Sequence, residues 1–297
     1  MKHDAIIVGG SFAGLAAGTY LARARRSVLV IDTRRPRNRF SAVSHGFLGQ
    51  DGSDPRAILA AAREQLLAYP TARIIDDEAL EAQVRGGGFS VRLAGGAEME
   101  ARKLILAFGL RDLLPDVPGV EERWGASVLH CPYCHGFEYS DRPLGVLYRS
   151  PLSVHQAQLI AEWGPTTLYL NGAALDEGDA EKLAARGVAV EAAPVQALAG
   201  EGLTLSAVEL AGGRTSAIAA LYVAPETRLA SPLGHQLGVQ IDDGPLGPVI
   251  RTDGDKMTTV PGLYAAGDIA KVPHSVSWAV ADGVTAGTSA HRALVFG

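Results

Sequence analysis

An α/β fold of two three-layer domains, the first interrupted by the second, is predicted by three features of the 297-residue chain. Strand-like and helix-like segments alternate from the first residues onward. A glycine-rich junction closes the first strand pattern, and a two-proline break at residues 111–118 (RDLLPDVP) precedes a second run of alternation.

Residues 5–10 (AIIVGG) form a short apolar run ending in glycines, residues 11–26 read as a helix rich in small residues, and residues 27–32 (SVLVID) read as a second strand. That is a βαβ unit. A helix over residues 55–69, hairpin strands within 81–96 and a strand at 103–109 follow. Beyond the break, residues 142–148, 166–170, 188–193, 205–210 and 219–224 have strand character, with a helix over 153–164. The last block starts near Val249, passes through a strand and turn at 258–268 (TTVPGLYAAGD) and finishes in a helix over 277–295. This order predicts a first domain made of residues 1–112 and 246–297, with residues 113–245 inserted.

Composition narrows the function. With 47% apolar and 20% charged residues the chain can fill a core in each domain. The net charge of -5, and a dense positive run only at residues 34–39 (RRPRNR), give a nucleic-acid backbone little to bind. No apolar run of membrane-spanning length occurs, and the N-terminus enters a strand pattern directly, so a cytoplasmic protein with no membrane partner is expected. Both cysteines lie in HCPYCHG, residues 130–136. A half metal site, a structural disulfide and a redox dithiol all fit such a pair. A zinc site would need two more ligands with no second cysteine pair, and no metal is expected.

The junction Gly9-Gly10-Ser11-Phe12-Ala13-Gly14 has a strand before it, a helix after it and Asp32 at the end of the next strand. In a Rossmann-like unit the first glycine makes the tight turn, the middle position admits the pyrophosphate and the last lets helix pack on strand. Gly9, Ser11, Ala13 and Gly14 are therefore cofactor candidates, and Asp32 is the candidate ribose ligand. Arg39 is a candidate phosphate partner. Near the C-terminus, residues 263–268 (LYAAGD) bring Gly267 and Asp268 to a strand end before the last helix, as a flavin's ribityl chain or phosphate would require. An Asx turn or helix cap explains Asp268 alone equally well.

The order of elements, the glycine opening, AFG at 107–109, CPYC at 131–134 and AAGD at 265–268 resemble the low-molecular-weight thioredoxin reductase family over nearly the whole chain. The resemblance implies the class II pyridine nucleotide-disulfide oxidoreductase fold, FAD, a homodimer and a redox-active pair in the inserted domain. It makes Cys131 the exchanging sulfur and Cys134 the one facing the flavin. Gly109, His45, Trp278 and Ala279 become flavin-side candidates by the same resemblance. Pro132 suits a helix start, where a thiol pKa falls.

One stretch departs from the family. Tyr148-Arg149-Ser150-Pro151-Leu152-Ser153 stands where a second glycine-rich turn would hold NADPH, and no basic pair follows the next strand, so NADPH use is expected to be doubtful. That departure resembles the branch containing the dithiol oxidases of microbial disulfide natural products. It implies oxidation of a small-molecule dithiol, with O2 as acceptor. The alternatives are an NADPH- or ferredoxin-dependent reductase of a thioredoxin-like protein, and a flavin redox sensor without turnover. His274, in KVPHSVS, is the candidate proton acceptor, and His130 and His135 flank the dithiol as candidate catalytic groups.

Overall fold

Ile6 and Ile7 are fully buried in the first strand, β1 (Lys2–Val8). This run in the computed structural model, which describes residues 2–297, is the centre of the larger sheet. α1 (Phe12–Arg23) returns the chain to β2 (Val28–Asp32), whose five residues are all buried, as a strand covered on both faces must be. α2 (Pro55–Leu67) has Asp54 as its N-cap, its carboxylate accepting from Arg56 N, and proline at its start. β3 (Ala72–Asp76), β4 (Ala79–Arg85), β5 (Gly88–Leu93) and β6 (Glu98–Leu106) complete the order β3-β2-β1-β6-β5-β4. β1, β2 and β3 run parallel, whereas β4 and β5 form the expected antiparallel hairpin.

β7 (Leu110–Leu113) leads out of this sheet. Then come α3 (Val120–Arg123), β8 (Val128–Leu129) and the single-turn α4 (Pro132–His135). β9 (Leu144–Leu147), α5 (Leu152–Ile160), β10 (Thr166–Tyr169), α6 (Glu177–Ala185) and β11 (Ala189–Glu191) continue the alternation. β12 (Val195–Glu201), β13 (Thr204–Leu210) and β14 (Arg214–Ala217) form a separate antiparallel sheet, and β15 (Ala220–Val223) rejoins the parallel one. That five-stranded sheet has the order β11-β10-β9-β15-β8. β16 (Glu226–Leu229) pairs antiparallel with β7, so both crossings between the two sheets lie side by side. α7 (Leu233–Gln236), the hairpin β17 (Ile241–Gly244) and β18 (Gly247–Ile250), and β19 (Leu263–Ala265) follow. β19 pairs parallel with β6 in the first sheet, and α8 (Val276–Phe296) ends the chain.

The expected elements are present with small changes at their ends. The helix expected over 153–164 ends at Ile160, and β3, β8, α6, β12, β14 and the short pairs β7–β16 and β17–β18 are additional to the expected elements. α6 buries only Leu183, too little to produce a periodic apolar signal.

Two helices of the first layer touch through small residues. A Cβ on Gly283 of α8 would lie 2.1 Å from the Ala13 carbonyl oxygen of α1, and one on Gly287 would lie 2.8 Å from that of Ala17. This approach presses the starts of α1 and α8 together beside the end of β19. Gly283→Val is therefore expected to destabilise the fold by about 3 kcal/mol or more, read as a lower urea midpoint. Gly254→Ala, whose methyl would meet nothing within 4 Å, is expected to stay within about 0.5 kcal/mol of the parent.

Candidate active site

The ends of β1, β2 and β19, the loop after β6 and the turn α4 open onto one cleft of about 480 Å³. Gly9, at φ 110°, has no room for a side chain, because a Cβ would sit 2.2 Å from the Ala107 carbonyl oxygen. A Cβ on Gly14 would fall 1.8 Å from the Gly9 carbonyl oxygen. Gly10, not singled out from the sequence, is just as constrained, since a Cβ there would meet the Asp32 carboxylate carbon at 2.6 Å. The Gly-Gly pair was its only sequence signal. A backbone bared at a helix start is what a pyrophosphate needs, so the residues fit FAD's dinucleotide half.

Asp32 lines the cleft and is tied by Arg63, whose Nη1 donates to Oδ2 at 2.5 Å while its Nη2 reaches Asp76 at 2.6 Å. Arg63 lies on α2 and had no sequence signal, because its partners are remote along the chain. Across the cleft, Gly267 at φ 80° would bring a Cβ within 3.0 Å of the Ala13 methyl and 3.8 Å of that of Ala279. Ser11, Ala13, Gly109, Gly267, Asp268 and Ala279 all line the cavity.

Three candidates sit differently from expectation. Arg39 borders the cleft but is exposed, stacked on Phe40 with its Cζ 4.1 Å from the ring centre. The arginine held in the wall is Arg37, two residues earlier. His45 is not among the lining residues; its Nε2 lies 3.2 Å from Glu138 and its ring packs edge-on against His135. Trp278 is 41% exposed under Lys271 and does not line the cavity either. The last helix is capped by Ser275, whose hydroxyl accepts from Trp278 N at 3.1 Å.

Arg37 joins four segments. Its Nε and Nη2 clasp Asp112, and its Nη1 donates to Asp268 at 2.9 Å and contacts His274 Nδ1 at 2.8 Å. Burial works against the guanidinium charge, but Asp112 and Asp268 outweigh it and raise the Arg37 pKa. A guanidinium has no acceptor, so the Nδ1 contact requires the imidazole lone pair. His274 Nδ1 is thereby engaged by the guanidinium, while the ring itself lines the cleft. Burial, the largest effect, holds its pKa below the ordinary histidine value.

Cys131 caps α4 and Cys134 lies inside it; both are free thiols lining the cleft, with Sγ atoms 2.8 Å apart. The Cys134 thiol donates toward Cys131, and with the N–H groups of Cys134 and Tyr133 it lowers the Cys131 pKa to about 7. The same sharing, together with burial, drives Cys134 strongly upward. Gly136 lets this turn pack closely, since a Cβ there would lie 2.7 Å from Trp163 Nε1. His130 is pushed down to about 4, chiefly by burial and then by Arg37. Its Nδ1 faces the Val223 carbonyl at 3.3 Å and must donate, leaving Nε2 as an acceptor. His135 is likewise lowered by burial, with Nε2 3.3 Å from Ser41 Oγ.

In the turn after β9, Ser153 Oγ accepts from Arg149 N at 2.9 Å and from Ser150 N at 3.4 Å. Arg149 Nη1 is buried with no partner among the described residues, and Nη2 is 3.8 Å from Glu226. A buried guanidinium N–H without an acceptor fits an anionic group such as a nucleotide phosphate. Among the described residues no helix is long and apolar enough to cross a membrane.

Two sheets, a glycine-bared cleft and a dithiol facing it define a flavin-type disulfide oxidoreductase. The chain belongs to the pyridine nucleotide-disulphide oxidoreductase family, whose model matches residues 3–283, and within it to the thioredoxin reductase-like flavoproteins. It is 32% identical to "Thioredoxin reductase tcpT" of Claviceps purpurea over 98% of this chain and 94% of that one. It is 30% identical to "Thioredoxin reductase sirT" of Leptosphaeria maculans over 96% and 92%. An oxidoreductase from Agrobacterium tumefaciens superposes with a TM-score of 0.95 at 44% identity, covering 100% of this chain and 99% of that one. HlmI superposes with a TM-score of 0.94 at 38% identity, covering 99% and 93%. The protein is an FAD-dependent thiol–disulfide oxidoreductase.

The family match corrects the expectation that NADPH use is doubtful. Its range, residues 3–283, includes Tyr148–Ser153, and the family is one of pyridine-nucleotide enzymes. The departure rests on Tyr148, Pro151 and the missing basic pair, and beside them Arg149 holds an orphaned donor.

The thiol asymmetry gives a direct test. In the reduced protein, iodoacetamide is expected to label Cys131 with a midpoint at about pH 7, the rate falling about tenfold per unit below it, while Cys134 stays unlabelled. A midpoint in the ordinary thiol range, or preferential labelling of Cys134, would reverse the assignment.

Proposed function

We propose that the protein is an NADPH-dependent disulfide reductase acting on a thioredoxin-like protein or a small-molecule disulfide. The observation that carries this reading is the unequal pair, a Cys131 thiol lowered to about 7 beside a Cys134 that keeps its proton, at the mouth of a dinucleotide cleft. The names of the fungal relatives support the same direction.

Bound FAD supplies the two-electron relay between NADPH and the cysteine pair. Gly9, Gly10, Ser11 and Gly14 admit its pyrophosphate, Asp32 and Asp268 meet its sugar and ribityl hydroxyls, and Arg149 serves the phosphates of NADPH. In the thiol half-reaction the Cys131 thiolate attacks the substrate disulfide, forming a mixed disulfide and releasing one substrate thiolate. Cys134 then loses its proton and attacks Cys131 Sγ, which releases the second substrate thiolate and leaves a Cys131–Cys134 disulfide. His130, neutral above about pH 4, lines the same cleft with Nε2 as an acceptor. Tyr133 and Phe137, 72% and 84% exposed beside the pair, give a thiol partner an apolar rim.

Residues 1–112 and 246–297 bind FAD and residues 113–245 carry the dithiol and NADPH, although Leu233, Leu237 and Val239 of the inserted range pack into the core of the first sheet. Strand pairing supports this division, since β19 returns to the first sheet while β8 to β11 and β15 form the second.

Stopped-flow reduction tests the direction. Anaerobic NADPH is expected to bleach the flavin within milliseconds, and Cys131→Ser or Cys134→Ser is expected to abolish disulfide reduction while leaving that bleaching intact. Fast bleaching by a small dithiol with only slow bleaching by NADPH would overturn the reading in favour of dithiol oxidation with O2 as acceptor.

A further inference from the structure

Four of the five Arg37 N–H bonds have partners in this corner of the cleft. Nε and Nη2 are clasped by Asp112 on β7, one Nη1 hydrogen goes to Asp268, and the other meets His274 Nδ1. The side chain is 19% exposed and the Asp112 side chain 9%, so the clasp is sheltered from water. An imidazolium would turn an N–H toward Arg37 at 2.8 Å, and the Nδ1–H tautomer would do the same. The Nε2–H ring is the form that leaves the Nδ1 lone pair free to accept from Arg37. His274 Nε2 is buried and has no partner among the described residues, although the ring lines the cleft. The charged and titratable groups around this ring are Asp268, Arg37, Asp112 and, across the cleft, His130.

We propose that Arg37 is a positioning residue that fixes His274 as the Nε2–H tautomer, giving the cleft a hydrogen-bond donor whose proton does not come and go with pH. This deepens, and rests on, the reading of the cleft as the flavin and dithiol site. The loop donor and the His130 acceptor then act with opposite polarity. A thiolate or an anionic edge of the bound cofactor is what a fixed donor in this position stabilises. Asp112 lies on the strand leading into the second domain, so the donor's orientation is set by the same residue that marks the crossing.

The test reads the ring directly. The FAD-loaded protein is labelled with nitrogen-15 in its histidine rings, long-range proton–nitrogen correlations are recorded, and His274 is assigned by the signal missing in His274→Asn. The expected pattern is a protonated Nε2 and a bare Nδ1, unchanged from about pH 5 to about pH 8, where free imidazole titrates. Arg37→Met is expected to release the ring, which then titrates in that range or populates both tautomers. An Nδ1–H pattern in the parent protein overturns the proposal even if Arg37→Met does not fold, and so does a pattern that Arg37→Met leaves unchanged. FAD content and NADPH bleaching are measured on the same samples. Failure of the reductase reading leaves the tautomer result standing, and an overturned tautomer leaves the reductase reading intact.

Discussion

The clasp of Arg37 by Asp112 and Asp268 is the constraint on which the geometry of the cleft depends. It joins the loop after β2, the outgoing strand β7 and the turn after β19, three segments far apart in the chain. One buried cation between two carboxylates leaves a local excess of negative charge, which the chain accepts because each carboxylate receives charge-assisted hydrogen bonds. Breaking either contact would leave a sheltered carboxylate without its cation, so the clasp ties the three segments together. The histidine on the following loop takes its protonation pattern from that clasp rather than from its own sequence.

The dithiol obeys a related logic on a smaller scale. Two identical side chains three residues apart acquire opposite tendencies because one proton is shared between them and the N–H groups of a single helical turn all favour the first sulfur. Trp163, packed over Gly136, fixes how that turn lies against α5, and Tyr222 donates to the His135 carbonyl from below. The chemistry of the pair is thus carried by packing that lies outside the CPYC motif.

The turn after β9 departs from a glycine-rich motif and carries a different set of donors. Glycines and their bare N–H groups are one way to receive a phosphate; a guanidinium is another. Here the Ser153 hydroxyl absorbs two backbone donors, Pro151 removes a third, and Arg149 holds an N–H in reserve. Glycine spacing is a record of backbone geometry. It cannot report a side chain that supplies the same hydrogen bonds from a different position.

The sequence by itself determined the alternation of strands and helices, the return of the C-terminal block to the first sheet, the glycine cradle and the cysteine pair, because each is written in local spacing. Gly9, Gly14 and Gly267 were legible since steric exclusion leaves glycine no substitute, and Cys131 with Cys134 since nothing else in the chain has a thiol. Only the tertiary structure decided that Arg37 is clasped by Asp112 and Asp268, that Arg63 holds Asp32, that His45 turns to Glu138, and that His274 Nδ1 meets Arg37. These outcomes depend on partners separated by tens to hundreds of residues. A side chain's partner, charge and tautomer are properties of the folded space around it, which residue spacing along the chain does not encode.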